Sequence, residues 1–399
     1  MSFEQRSIPT EDRISSFPDH IICHILSFLP TKLSAATSIL SKRWNPLWLS
    51  VLNFHFDDQT FQDFISFRHF VLSAFLSRQM TLPLQSFHLK CSKESSFQLH
   101  DINRFVYAAA QRQIQNLNLE MSCTNLQMSS RIILKLPRSI FSCRTLIVLH
   151  LKGLKVNDLS HVAVAVDFPF LKTLHMSYIL FESIEYFVQL LSGCLILEEL
   201  QAEYIRVSNI EWLVSQEMFV VREKFRSLPK LIKADITKSP FLLTFLLTLF
   251  CKEEAQVLRA EVETRYLNYL KFPNLTYMEL ILHNHQREKW KMLLETLKSC
   301  PKLQNIIIHE GFRSEEEVVD NWMDPAITPE CLSTQLRTCL LKGFKCTECE
   351  LQFAKYIMQN SKVLNTMSIK IASSVDINVK YQLSRKSASW TRASSTCKL

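Results

Sequence analysis

Along most of the chain, apolar residues recur with the spacing L-x-x-L-x-L, where any apolar residue can stand for leucine. The triads are Leu146/Leu149/Leu151, Leu171/Leu174/Met176, Leu197/Leu200/Ala202, Leu231/Ala234/Ile236, Leu275/Met278/Leu280 and Leu303/Ile306/Ile308. Weaker copies lie at Ile114/Leu117/Leu119, Leu336/Cys339/Leu341 and Leu364/Met367/Ile369. Alternation of this kind predicts a short strand with one buried face. Pairs such as Phe168-Pro169, Leu228-Pro229, Phe272-Pro273 and Cys300-Pro301 precede several triads, and a proline there ends the preceding helix before the strand begins. Helical periodicity follows in FESIEYFVQLLSGC (Phe181 to Cys194) and REKWKMLLETLKSC (Arg287 to Cys300). No such unit can bury its own apolar face, so the units must stack. The expected product is a curved α/β solenoid with a parallel sheet on its concave side and helices on its convex side. An α/β fold of another kind is the alternative, and the count of only four glycines disfavours the nucleotide-binding ones, whose phosphate turns need that residue.

The amino-terminal stretch from Asp12 to Trp48 follows a different pattern. Ile21, Ile22, Ile25, Leu26 and Leu29 recur at helical spacing between Pro18 and Pro30, which predicts a short amphipathic helix. A second helix is expected from Lys32 through Ala35, Ala36, Ile39 and Leu40 to Trp44. Two short helices cannot cover all of this apolar surface, so either the rest of the chain or another protein does so. An ordinary helical hairpin packed on its own domain satisfies the periodicity equally well.

Composition narrows the classes. An apolar content of 47% with 21% charged residues over 399 residues is that of a folded chain with a sizeable core. The net charge of +8 permits acidic partners, but no basic stripe interleaved with aromatics argues for nucleic acid. The first residues, MSFEQRSIPTEDR, carry acids and no apolar core, which predicts no signal peptide. The twelve cysteines then read as reduced thiols, and the expected location is the cytoplasm, the nucleus or both. The longest apolar run, Phe241 to Cys251, is too short to span a bilayer and is expected in the core, so no membrane partner is predicted.

The runs Ser27-Phe28-Leu29-Pro30-Thr31-Lys32 and Ser38-Ile39-Leu40-Ser41-Lys42-Arg43-Trp44 resemble the F-box of plant-type F-box proteins. Phe17 stands where that family usually has leucine, and Leu33 where an acidic or polar residue is commoner. The resemblance implies docking on the Skp-family adaptor of a cullin-RING ubiquitin ligase, through Phe17, Pro18, Ile22, Leu26, Leu29, Pro30 and Trp44. The triads resemble leucine-rich repeats. From Phe272 to about Ile371 the chain resembles the FBD region that follows such repeats in many plant F-box proteins. That likeness rests on Phe272-Pro273-Asn274-Leu275, Trp290, Leu293, Leu294, Cys300-Pro301-Lys302-Leu303, Trp322, Pro329-Glu330-Cys331-Leu332 and the run from Ala354 to Ile369. The expected organisation is a flexible terminus over 1–10, the F-box over 11–57, leucine-rich repeats over 80–270 and the FBD region over 271–371. The FBD region reads as further repeats joined by an acidic loop, Glu315 to Asp324. Residues 377–399, with Lys380, Arg385, Lys386, Arg392, Lys398 and no acids, are expected to form a flexible basic tail.

Catalytic and metal chemistry find little support. His20 and His24 lie one helical turn apart, but no third ligand is near. Cys346 and Cys349 form a single C-x-x-C pair without the second pair a structural zinc site needs, and His283 and His285 suit a surface turn. No nucleophile elbow, phosphate loop or metalloprotease motif occurs. No metal, cofactor or catalytic residue is therefore expected, and function must lie in surface recognition. Strand alternation puts on the concave face the residues between the inward ones. The target-binding candidates among them are His150, Lys152, His175, Glu199, Glu203, Lys233, Asp235, Tyr277 and His309. Their mixed charge suits a protein surface better than a polyphosphate pocket. The expected function is that of a non-catalytic, substrate-recognising subunit of an SCF-type ligase, bridging the adaptor, and through it cullin, to an unknown target protein. A repeat scaffold disengaged from any ligase is one alternative, and a small-molecule receptor using the concave face is the other.

Overall fold

A hydrogen-bonded turn delivers the chain into strand after strand. In Phe168–Leu171, Leu228–Leu231, Phe272–Leu275 and Cys300–Leu303 the fourth residue's N–H donates to the first residue's carbonyl, at 3.0 to 3.3 Å, with proline in second place. Proline presets the backbone angle that this turn position requires. Cys194–Leu197 makes the same turn without proline, at 3.1 Å.

The computed structural model describes residues 14–92, 99–121, 134–157, 166–208, 228–237, 256–263, 272–283, 289–310, 324–325 and 327–398. The apolar run Phe241 to Cys251, the acidic loop up to residue 323, Trp322, His285 and the flexible terminus expected over 1–10 lie outside them. The chain divides into two compact units, Met1–Gly153 and Leu154–Leu399.

The first unit begins with three short helices, Asp19–Leu26, Thr31–Ala36 and Trp44–Leu47. The single helix expected from Lys32 to Trp44 is therefore broken. Thr37 Oγ1 donates back to the Ser34 carbonyl (2.6 Å), and the Ser41 hydroxyl accepts from the Trp44 N–H (3.4 Å). Hydroxyl side chains that compete for backbone groups end one helix and start the next. Strands β1 (Asn53–Asp57), β2 (Ser86–Cys91), β3 (Asn116–Met121), β4 (Leu134–Lys135) and β5 (Val148–Lys152) follow, with helices Phe64–Ser77 and Leu99–Ala110 between β1, β2 and β3. β1, β2, β3 and β5 pair in that order, all parallel. β1 and β2 were not among the predicted triads because phenylalanine takes the leucine places, in Val51/Phe54/Phe56 and Leu84/Phe87/Leu89.

The second unit carries β6 (Leu154–Val156), β7 (Thr173–Ser177), β8 (Leu180–Phe181), β9 (Glu199–Glu203), β10 (Arg206–Val207), β11 (Lys233–Thr237), β12 (Val257–Glu263), β13 (Tyr277–His283), β14 (Asn305–Glu310), β15 (Thr338–Phe344) and β16 (Thr366–Ile371). β7, β9 and β11 to β16 pair in sequence order as a parallel ladder, and β6, β8 and β10 form a second small sheet. Helices Ile184–Ser192, Lys289–Lys298 and Glu348–Asn360 lie between strands. Their apolar faces are buried: Phe187 meets Phe181 at 5.2 Å, and Trp290 meets Phe353 at 4.6 Å between ring centres. At the start of β9 and of each strand from β11 to β16, two N–H groups share one carbonyl at the start of the neighbouring strand. The Gln304 carbonyl, for example, accepts from both Arg337 and Thr338. The predicted triad residues are buried in every repeat except at Ile369, while the residues between them face outward. The N-terminal helices and parallel repeats make this an α/β leucine-rich-repeat solenoid.

The end of the chain corrects one expectation. Residues 377–399 were expected to be a flexible tail, but Ile377–Ala388 is helical and Cys397 is buried. Lys398 bridges Thr366 in parallel, receiving the Met367 N–H at its carbonyl (2.8 Å) and donating to the Asn365 carbonyl (2.9 Å). Buried Cys397 and the backbone groups of β16 supply the anchor that the basic composition hid.

Two buried arginines hold the first unit without a carboxylate. The Arg78 guanidinium, 2% exposed as a residue, donates to the carbonyls of Leu49, Val51 (2.7 Å) and Pro83 (2.5 Å). Burial, and then the charge of Arg112, lowers its pKa to about 10, which leaves it cationic at neutral pH. Arg112 donates to the carbonyls of Phe75 (2.9 Å) and Ala108 (2.8 Å). Replacing Arg78 with methionine leaves three carbonyls short of a donor and is expected to cost about 2–4 kcal/mol, read as a lowered midpoint in urea unfolding. On the open face, His55 and His88 stack at 4.2 Å. Burial lowers both imidazole pKa values; the His55 charge lowers that of His88 further, and Glu120 and Asp57 only partly offset this. The unfolded chain binds their protons first, near the ordinary value of about 6.5, so stability falls as pH drops below that value toward the lowered folded pKa. Melting temperature followed from pH 7.5 to 5 should fall less steeply in a His55→Asn/His88→Asn protein than in wild type.

Candidate interaction surfaces

The three N-terminal helices present two apolar stripes, and only one is buried. Ile22, Leu26, Trp44 and Leu47 form the interior, with the Trp44 indole N–H donating to Ser15 Oγ (3.1 Å). Of the residues named as adaptor contacts, Ile22, Leu26 and Trp44 are 0%, 1% and 6% exposed in the isolated chain. Phe17 and Pro18 are exposed, and Leu29 and Pro30 are half-buried. The outward stripe consists of Ile21, Ile25, Phe28, Leu33, Ile39 and Leu40, with Phe28 at 75% and Ile39 at 86% exposure. So dense a group of large exposed apolar residues on so short a segment marks a protein-binding surface. Arg43 fixes the approach to it, pairing with Asp19 (2.6 Å) and donating to the carbonyls of Ser15 and Phe17 (2.5 Å). His20 and His24, set aside as metal ligands, lie on the same helix, where His24 packs edge-on against Phe28 at 5.0 Å.

In each unit the parallel strands also present an open face. In the first unit its outer row alternates in charge: Asp57, Lys90, Glu120 and Lys152 are successive register partners. Lys90 pairs with Asp57 at 2.9 Å, and His88 lies 3.3 Å from Glu120. His150 is half-buried and Lys152 exposed on β5. In the second unit Glu199 on β9 sits between His175 of β7 (3.9 Å) and Lys233 of β11 (2.5 Å). A longer chain of contacts starts at Asp235, passes through Arg259 (3.6 Å) to Glu279 (3.6 Å), and ends at His309, 2.6 Å from Glu279. Tyr277 donates its hydroxyl to the same carboxylate at 3.1 Å.

Burial pushes Asp235 above the usual carboxylate range, because Arg259 and Lys233 offset it only in part. Burial acts on Glu279 too, but the hydrogen bonds from His309 and Tyr277, with the Arg259 charge, outweigh it and hold that carboxylate below its ordinary value. Of the predicted residues, His175, Glu199 and Lys233 form one cluster, and Asp235, Tyr277 and His309 are linked through Glu279 and Arg259 into a second, with Glu203 at the outer end of β9. Arg259, which joins the second cluster, was not predicted, because its strand carries the pattern as Ala255/Leu258/Ala260 and alanine is a weak signal.

Among the described residues no group of His, Cys, Asp or Glu could hold a metal, and no helix is long and apolar enough to cross a membrane. The described cysteines include buried thiols, and burial raises the thiol pKa of Cys194, Cys331 and Cys339 to about 12. Cys349 is buried at the start of helix Glu348–Asn360, where Glu350 and Thr347 form a capping box.

Comparison with known proteins matches these parts. Residues 14–56 fit the F-box domain, 102–263 fit the leucine-rich repeats described for FBD-associated F-box protein At5g56370, and 324–369 fit FBD. FBD-associated F-box protein At3g52670 of Arabidopsis thaliana is 30% identical over 98% of this chain and 97% of its own length. F-box/FBD/LRR-repeat protein At4g00160 of the same plant is 28% identical over 91% of this chain and 87% of its own. With the F-box at its amino end, the repeats behind it and FBD in its last strands, the chain belongs to the plant F-box/FBD/LRR-repeat protein family.

Proposed function

We propose that this protein is the substrate-recognition subunit of an SCF-type cullin-RING ubiquitin ligase. The observation that carries this reading is the outward apolar stripe of the F-box, Ile21, Ile25, Phe28, Leu33, Ile39 and Leu40, together with Phe17. It takes the Skp-family adaptor, and the open face of the strands takes a target protein. The ion-paired clusters around Glu199 and Glu279 hold side chains of that face in fixed positions, which suits recognition of a protein surface. The protein does no chemistry itself. It raises the effective concentration of target lysines near a ubiquitin-charged enzyme carried elsewhere in the assembly. Buried thiols such as Cys194, Cys331 and Cys339 suit a reducing compartment, and the site of action is the cytoplasm, the nucleus or both.

Substitutions at Leu26 test folding rather than docking, because that side chain lies in the helical core. Phe28→Asp/Ile39→Asp changes two exposed positions and leaves the interior intact. Co-purification with a Skp-family adaptor should drop at least about tenfold in this variant at unchanged melting temperature, since truncating anchors of a protein interface typically costs more than 1.4 kcal/mol. Equal recovery of adaptor by wild type and variant would falsify the ligase reading. In cells, a target should accumulate when the F-box is deleted, as proximity labelling with and without residues 14–56 would show.

A further inference from the structure

The open face of the last three strands differs from the rest. Across β14, β15 and β16 the register sets out three rows: Asn305, Thr338 and Thr366; then Ile307, Leu340 and Ser368; then His309, Lys342 and Lys370. The one acid in these strands, Glu310, is buried. On β9 to β13 the cations already meet carboxylates, Lys233 on Glu199 and Arg259 on Asp235 and Glu279. Lys342 and Lys370 instead lie directly opposite each other, a like-charge pairing that costs a sheet stability. Lys370 is exposed and has no carboxylate partner among the described residues.

His309 does not relieve Lys342. Its Nε2 lies 2.6 Å from Glu279 Oε1 and 3.3 Å from Lys342 Nζ. One ring nitrogen offers either a proton or a lone pair. The shorter contact to the carboxylate takes the proton, so the ammonium gains no acceptor there. Immediately after Lys342 the strand bulges at Gly343, whose φ of +76° suits glycine alone. Bulges re-aim neighbouring side chains and recur beside functional sites.

We infer that this corner binds an extended acidic segment of the target protein. The inference rests on the target-binding reading above and gives that target a chemistry. A large apolar side chain of the segment covers Ile307 and Leu340, and its carboxylates meet Lys342 and Lys370. Leu340 and Lys342 are two residues apart on one strand, about 6.6 Å, so an apolar residue and an acid two apart in an extended segment reach both. Carboxylates fit better than phosphates because the open face of these three strands carries no arginine to grip a phosphate with two parallel hydrogen bonds.

The test uses the immobilised full-length chain and pooled nonapeptides with a central Leu-x-Glu and random flanks. Matched pools carry glutamine, lysine or phosphoserine in place of the glutamate. The glutamate pool should be retained, with retention falling as salt is raised, and Lys342→Glu/Lys370→Glu should reduce it at least about tenfold while Lys302→Glu leaves it unchanged. Equal retention of the glutamine or lysine pool, retention of the phosphoserine pool alone, or no effect of the double reversal overturns the inference. Adaptor recovery is measured on the same preparations. Adaptor bound without glutamate-pool retention sinks the acidic-segment inference and leaves the ligase reading standing; glutamate-pool retention without adaptor does the reverse.

Discussion

One carbonyl at the start of each strand, accepting two successive N–H groups from the next strand, sets everything that follows along the ladder. Lys172, Glu198, Ile232, Gln256, Thr276, Gln304 and Arg337 each supply it in the second unit, and Leu52, Gln85 and Gln115 in the first. Because the shared acceptor occupies the same place in every repeat, neighbouring strands start level. Buried residues then align in continuous apolar rows, and outward residues align in rows of their own. A slip of one residue would turn every leucine to solvent and every ion pair into the core. The contacts from Asp235 to His309 exist only because four successive strands keep this register.

Within the first unit, charge serves two purposes. Arg78 and Arg112 are buried on backbone carbonyls, where they replace water for groups that no strand or helix satisfies. Arg43 is exposed, and it shapes the segment leading into the first helix. The apolar residues divide in a similar way. Ile22, Leu26, Trp44 and Leu47 stabilise the helices from within, while Phe28, Ile39 and Leu40 lower solubility and gain nothing in the isolated chain.

Much of the ladder was legible because leucine at two spacings is a direct print of strand burial. β1, β2 and β12 escaped because the same places hold phenylalanine or alanine, which satisfy the packing without matching the letter of the pattern. The F-box was legible as a segment but not as a surface. Periodicity reveals that Ile21, Ile22, Ile25 and Leu26 are apolar, yet two stripes a quarter-turn apart look alike until a third helix buries one of them. The ordered carboxyl end was illegible for a related reason: a one-residue bridge and one buried thiol leave no periodic trace. Alternation marks the outward residues of one strand, but which of them meet depends on register across strands, and Arg259 lies on a strand whose alanines leave little pattern.

The identical joint at the start of each strand also bears on how such a chain can change over generations. A ladder in which rung after rung attaches by the same two hydrogen bonds accepts the gain or loss of a whole repeat at little cost to its neighbours. One end is closed by the F-box helices before β1, and the other by the Lys398 bridge on β16. Lineages can therefore lengthen, shorten or re-surface the middle and inherit both terminal fittings unchanged. Change on the open face of the strands need not compete with the packing of the helices before β1.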